Sequence, residues 1–395
     1  MSVIDISALS GGLKELPPLS LYIHFPWCVR KCPYCDFNSH EAKNGFDEMA
    51  YVAALLADLE SSLPQIWGRP VTTIFMGGGT PSLFSAAAMD ALLCGIRARV
   101  RLHPDAEITM EANPGTFESD KFKGYRAAGI NRLSIGVQSF DPAFLQGLGR
   151  IHNGDEARRA VDIALTHFDN VNLDLMYALP GQTPAQALAD IDTALGYGIT
   201  HLSAYHLTIE PNTLFARYTP ANLPDDERSA DMQEAIEARL AAAGFEHYET
   251  SAFARAGYQC RHNRNYWTFG DYVGIGAGAH GKISSHAGVL REARYKQPAA
   301  YLKAVAAGKP VQEAHKVGRQ DLPFEFMLNA LRLTGGFEEE LFAERTGLPL
   351  VLIARELKQA EQNGLLERTG GLIRPSLKGQ RFLNDLLTLF LNDGD

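Results

Sequence analysis

Six repeats of a β-rich run followed by a helical pattern predict an α/β protein built on a parallel sheet. Two further observations complete the prediction. The pattern changes after about residue 210, and a length of 395 residues suits two domains better than one. The strand candidates are LYIHF (21–25), TTIFM (72–76), EITME (107–111), RLSIGV (132–137), VNLDLM (171–176) and HLSAYHL (201–207). Helical stretches fall between them at 47–62, 86–100, 118–128, 155–167 and 184–196. Strand then helix, repeated, calls for right-handed crossovers in one sheet. Such units close as a partial barrel or wind into an open sheet, and periodicity alone does not choose. Either way the site lies at the C-terminal ends of the strands.

Beyond that core, a helix is expected at 225–243, then strand-like runs at 247–254 and 272–283. From about residue 321 the chain reads as three helices, a short hairpin (365–374) and a terminal helix, the order of a winged helix. The division is an N-terminal tail (1–19), a core domain (20–245) and a smaller α+β C-terminal domain (246–395) ending in the winged-helix-like segment.

Composition excludes several classes. No run approaches eighteen apolar residues, so no membrane span is expected. The first twenty residues lack the basic and apolar regions of a secretory signal. The net charge is −9, and residues 321–395 carry eight Lys/Arg against twelve Asp/Glu. A nucleic-acid-reading wing needs positive side chains on phosphates, so that domain is expected to cover the barrel's open side or to meet a protein. Of five cysteines, three fall within eight residues, which is metal chemistry rather than a disulfide framework. It fits a reducing, cytoplasmic compartment. Cys94, in the run ALLCGIRARV, reads as a core thiol on a helix face.

Cys28, Cys32 and Cys35 follow the first strand as Cx₃Cx₂C. Thiolates are the usual ligands of iron–sulfur iron, and three of them leave the fourth iron of a 4Fe–4S cluster open. Zinc wants four ligands, and His24 or His40 would have to join. Pro33 stiffens the loop. Other chemistry-bearing residues converge on the same strand ends: Gly77-Gly78-Gly79-Thr80 after the second strand, Glu111 on the third, Gln138 on the fourth and Asp174 in the fifth. Tyr22 and His24 share one face of the first strand. Each has a bland reading as well. Strand-end carboxylates cap helices, glycine runs make turns, and Arg150 serves as a solvated charge.

Taken together, the cysteine spacing, Tyr34 before the last cysteine and the glycine run resemble the radical S-adenosylmethionine superfamily. The resemblance implies a partial (β/α)₆ barrel. The amino and carboxylate groups of S-adenosylmethionine chelate the open iron, and an electron from an outside donor allows the cofactor to be cleaved to a 5′-deoxyadenosyl radical. It further implies that Tyr22, Gly78, Gly79, Thr80, Glu111, Gln138, Arg150 and Asp174 surround that cofactor.

A closer resemblance rests on Tyr22-Ile23-His24-Phe25-Pro26-Trp27-Cys28, Glu111-Ala112-Asn113-Pro114, Gly136-Val137-Gln138-Ser139 and Asp174-Leu175-Met176. These are similar to the family of oxygen-independent coproporphyrinogen oxidase, HemN, and above all to its relative HemW, described as haem chaperones. Phe37 stands where the oxidase has a further cysteine, and only 27 residues precede Cys28, where the oxidase has a longer arm. Both departures put decarboxylation of coproporphyrinogen III in doubt, and it stays as the alternative. His262-Asn263-Arg264-Asn265-Tyr266 matches the HNxxY element associated with haem in HemW-like proteins. The resemblance therefore implies haem as cargo, an acceptor protein for it, and His262, on a loop, as the foremost iron ligand. Cys260, His24 and His280 compete for that role.

Overall fold

Along the first strand, Leu19, Leu21, Ile23 and Phe25 are buried in one hydrophobic layer, while Ser20, Tyr22 and His24 turn to the opposite face. That alternation recurs in each following strand, and it decides what the two faces of the sheet become. In the computed structural model, which describes residues 12–43, 45–116 and 118–391, six parallel strands lie side by side in chain order. They are β1 (Leu19–Phe25), β2 (Val71–Gly78), β3 (Leu102–Ala112), β4 (Arg132–Gln138), β5 (Val171–Tyr177) and β6 (His201–His206). The tail expected over 1–19 lies outside the described residues as far as residue 11.

Helices cover the apolar face. Helix Glu48–Ile66 buries Tyr51, Val52, Leu55 and Leu59, and helix Ala86–Arg97 buries Met89, Leu92, Leu93 and Ile96. Burying each such side chain is worth about 1.5–3 kcal/mol. Local signals start these helices where the pattern places them. Asn153 and Glu156 form a capping box for Gly154–His167, and Thr183 and Gln186 form another for Pro184–Gly196, with Pro184 opening the first turn. Cys94 departs from expectation. It sits on the exposed side of its helix, its thiol 3.7 Å from Asp90 Oδ1, because Leu92, Leu93 and Ile96 take the buried stripe.

The sheet does not close. β1 pairs in parallel with β9 (Asp271–Ile275), and β6 pairs antiparallel with β8 (Ala252–Ala254), which carries β7 (Glu246–Glu249) at the edge. Beyond β9 run β10 (His280–Ser285), β11 (Gly288–Arg294) and β12 (Val311–Lys316), giving twelve strands in all. Two sequence readings are corrected here. The run 272–283 is not one strand but β9 and β10, turned back by Gly276 and Gly278 at φ +101° and +85°. The run 247–254 is likewise two antiparallel strands.

The inner face is polar and plugged. Helix Arg261–Trp267 packs against β1, β2 and β9 at the N-terminal ends of the strands. Its N-cap, Cys260, makes no side-chain cap. Glu107 of β3 does that work instead, accepting from Arg261 N and His262 N, each at 3.1 Å. Asn265 donates to Ser20 Oγ at 2.8 Å, and Ser20 in turn accepts from Thr73 at 2.7 Å.

The C-terminal segment has its own core of Phe326, Met327, Phe342, Leu357, Ile373 and Leu386, into which Phe269 and Val289 also pack. Helices Leu322–Ala330, Glu339–Thr346 and Ala354–Gln362 precede the hairpin Leu366–Thr369/Leu372–Pro375, as the winged-helix order requires. Arg332 lies over the Trp267 ring at 4.3 Å, Arg345 donates to Thr268 O at 3.2 Å, and Arg381 grips Glu237 with two 2.7 Å bonds. The unit therefore rests on the plug helix and on helix Asp226–Ala242.

Candidate functional site

β1 runs through Pro26 into Trp27–Cys28, which pairs in parallel with His40–Glu41. Cys28 ends the first of these strands and the loop between them carries Cys32 and Cys35, all three half-buried. The glycine run fixes the entry to this loop: Gly79 N donates to Phe25 O at 2.6 Å and Thr80 N to Trp27 O at 2.7 Å. A Cβ on Gly79 would stand 2.5 Å from Trp27 O, so no larger residue fits there.

Each sulfur has a polar neighbour. Thr80 Oγ1 donates to Cys28 Sγ at 3.4 Å, Arg150 Nη1 to Cys32 Sγ at 3.6 Å, and Ser39 Oγ lies 4.0 Å from Cys35 Sγ. Arg150 is held for this by a 2.7 Å bond to Gly136 O. Burial pushes the Cys28 and Cys35 thiols above their usual range, with the Thr80 and Ser39 hydroxyls pulling the other way. A bound metal reverses that balance by taking the thiolate form. Among the described residues no three His, Cys, Asp or Glu side chains close around a single-ion site. The thiolates of a cluster each take a different iron, and donors aimed at sulfur are what such a cluster uses. The donor set fits a 4Fe–4S group.

Next to the loop, Gly78 ends β2 at φ +107°, where its N–H donates to Glu111 Oε2 at 3.0 Å. A Cβ here would stand 2.2 Å from the His24 ring. That imidazole is fully engaged. Its Nε2 donates to Asn38 O at 2.8 Å, so its Nδ1 is the acceptor for the Tyr22 hydroxyl at 3.0 Å. Burial holds its pKa down to about 4, so it is neutral. Any side chain at Gly78 thus displaces His24 and, through Asn38, the cysteine loop.

Glu111 is raised to about 7, first by burial and then by the charge of Asp174, against the Gly78 N–H. A folded pKa above the unfolded one adds stability in acid and loses it as pH rises through 7. Glu111→Gln is therefore expected to gain stability over wild type between pH 5 and pH 8. Allowing for partial exposure, the gain is roughly 1–2 kcal/mol. Urea midpoints of the two proteins at both pH values measure it, and parallel pH profiles would contradict it.

Other sequence-predicted residues are placed as follows. Asp174 faces inward and already accepts from Ser134 Oγ at 2.9 Å and Asn172 Nδ2 at 2.8 Å. Gln138 ends β4 in a left-handed conformation at φ +69°. His262 is corrected from loop to helix. It is 1% exposed, its Nδ1 shares a hydrogen bond with Thr73 Oγ1 at 2.8 Å, and burial lowers its pKa to about 3. Its Nε2 has no partner among the described residues. Cys260 is fully buried against Glu107, and its pKa is pushed up to about 12, so it stays a thiol. The His262 ring packs between Phe75 and Tyr266, at 5.1 and 5.0 Å, and lies 6.5 Å from the Tyr22 ring.

A cavity of about 440 Å³ does adjoin that loop. Its lining combines Lys31, Asp36, Phe37 and Asn38 from the loop with Tyr22, Tyr266, Tyr272, His280 and Lys296. Asn38 ties the two sides, donating to Ala277 O and Lys296 O, each at 2.9 Å. Gly278 makes room for it, since a Cβ there would sit 2.2 Å from Asn38 Nδ2. Asn38, Tyr272 and Lys296 escaped sequence reasoning because they meet across more than 230 residues and belong to no local spacing. The glycine-rich run around His280 was the available signal.

Against known proteins, the chain matches the Radical SAM superfamily over residues 22–194 and the HemN C-terminal domain over residues 317–382. It is 49% identical over 96% of its length to the whole of a protein from Escherichia coli (strain K12) named "Heme chaperone HemW". A Bacillus subtilis (strain 168) protein of the same name is 34% identical, with 95% of this chain and 99% of that one covered. Among solved structures, coproporphyrinogen III oxidase (HemN) from Escherichia coli superimposes with a TM-score of 0.81 at 23% identity, over 95% of this chain and 90% of that one. That likeness establishes the fold.

Proposed function

The chain belongs to the HemW family, and from that membership we propose that it is a haem chaperone, binding haem and passing it to an acceptor protein. The observation that carries this is the 49% identity to a heme chaperone over 96% of the chain. Cys28, Cys32 and Cys35 hold a 4Fe–4S cluster in this reading, with Thr80 and Arg150 donating to sulfur. S-adenosylmethionine, bound exchangeably at the open iron, supplies the capacity for radical chemistry when an external donor provides an electron. Gly78 and Gly79 let backbone approach it, and Tyr22, Glu111, Gln138 and Asp174 line its side of the sheet. No described helix is long and apolar enough to cross a membrane. Free cluster-ligand thiols fit a cytoplasmic setting, where thiols stay reduced.

The fold shared with the oxidase keeps one alternative specific enough to test. Phe37 is 61% exposed beside Cys35, where the oxidase carries a further cysteine. With cofactor and reductant supplied, the reconstituted protein is expected to decarboxylate less than one coproporphyrinogen per chain, yet to take up haem. Chromatographic product analysis and haem titration read the two outcomes. Multiple turnovers without haem uptake would replace the chaperone by an enzyme.

A further inference from the structure

We propose that Arg132 and Thr109, neighbours on the inner face of the sheet, bind one carboxylate arm of the haem and so select a porphyrin that carries free acid groups. This deepens the haem-chaperone reading and rests on it. The assignment stands on a row of side chains and on which of their polar atoms lack partners.

Register places the row. Tyr22 of β1 pairs with Phe75 of β2, Phe75 with Thr109 of β3, and Thr109 with Arg132 of β4. All four alternate with helix-covered residues and so share the inner face. Tyr22 and Phe75 keep partial exposure there, and Tyr22 also lines the cavity beside the cysteine loop. The His262 ring lies beside Phe75 and beside Tyr266, a second residue of the cavity lining.

Three buried atoms at this row have no partner among the described residues: His262 Nε2, Thr109 Oγ1 and Arg132 Nε. The two ends differ in chemistry. Thr73 gives its proton to Ser20 Oγ, so His262 Nδ1 donates to Thr73 and Nε2 is left as a bare lone pair. A neutral imidazole, held through its other nitrogen, is a form that iron takes. At the opposite end Arg132 is a permanent cation, 2% exposed, that forms no ion pair among the described residues. Glu107 is occupied by Arg261, His262 and Cys260, and Asp174 by Ser134 and Asn172. A buried guanidinium without a counter-ion is costly, and a carboxylate is the anion that matches its planar fork. Thr109, one strand nearer the imidazole, has a hydroxyl left to add a further bond. Spacing agrees. Phe75, the neighbour of the imidazole, is two strands from Arg132, at about 4.7–4.9 Å per strand. Haem carries its carboxylates on short arms at the ring edge, so its iron and its anions are likewise separated by half a macrocycle and an arm.

The test titrates cluster-loaded protein with haem and with haem dimethyl ester, whose carboxylates are blocked, following the Soret band. Wild type is expected to bind haem about tenfold to a hundredfold more tightly than the ester. Arg132→Met should lose that preference and bind both ligands like the ester, with the band where wild type has it. Thr109→Val, which exchanges only a hydroxyl for a methyl, should weaken haem alone by about three- to tenfold. His262→Ala should shift the band with haem and ester alike. Equal affinity of wild type for haem and ester would overturn the assignment while leaving haem carriage intact, as would unchanged haem affinity in Thr109→Val. An equal loss for both ligands in Arg132→Met would do the same, by making Arg132 a structural residue. Should Arg132→Met fail to fold, the wild-type comparison and Thr109→Val decide. Failure of wild type to bind haem would overturn the chaperone reading and this site with it.

Discussion

Cys28→Ala, Cys32→Ala and Cys35→Ala are each expected to come out of anaerobic reconstitution without a 4Fe–4S cluster. Iron and sulfide should fall from about four of each per chain to near background. The loop offers three thiolates and no spare: Cys94 lies on the exposed side of a helix of the outer layer, and Cys260 is sealed behind the plug helix on Glu107. Thr80→Val removes a donor to sulfur, and Arg150→Met removes another together with its bond to Gly136 O, but neither removes a thiolate, so both should retain most of the iron and report on the loop's polar surroundings instead. Near-normal cluster content in any one cysteine variant would contradict the ligand set. Tight zinc in wild type would do the same.

The second large effect is on stability. Asp271, at the start of β9, is fully buried and holds Lys282 Nζ at 3.0 Å, Arg69 Nη2 at 2.9 Å, Ser284 N at 2.9 Å and Ser284 Oγ at 2.7 Å. Lys282 is 1% exposed, and burial already lowers its pKa to about 8 despite that partner. Asp271→Ala would strand this ammonium, at a cost of about 3–5 kcal/mol, a large share of a typical folding free energy of about 5–15 kcal/mol. Urea denaturation of the purified variant measures it. Adding Lys282→Met should recover part of the loss, because it removes the stranded charge. A loss under about 1 kcal/mol would mean that the β9–β10 pair is held by something other than this network.

How far the sequence reveals this architecture varies with what holds each element. The six parallel strands are legible because each alternates between a helix-covered apolar face and the inner face, so pattern alone marks them. The helices over them carry their own start signals, as at Asn153 and Thr183. Helix Arg261–Trp267 is not legible. Seven residues without a side-chain cap have little intrinsic reason to be helical, and the cap comes from Glu107, over 150 residues away. The turn between β9 and β10 hid inside a run that reads as one strand, because its glycines resemble bulges until their positive φ values are known. Among site residues, the cysteine spacing is local and was readable. The contact of Arg150 with Cys32 and the bond of Asn38 to Ala277 and Lys296 are long-range, and nothing in their neighbours announces them.

The plug helix makes the inner face of the sheet a blind alley. With Glu107, Thr73 and Ser20 all spent on holding Arg261, His262 and Asn265 at the far end, the strand feet keep none of these groups for a ligand. The cavity lies at the other end, beside the cysteine loop. Occupants of that end are therefore neighbours at one doorway, and the order in which they arrive is part of the chemistry.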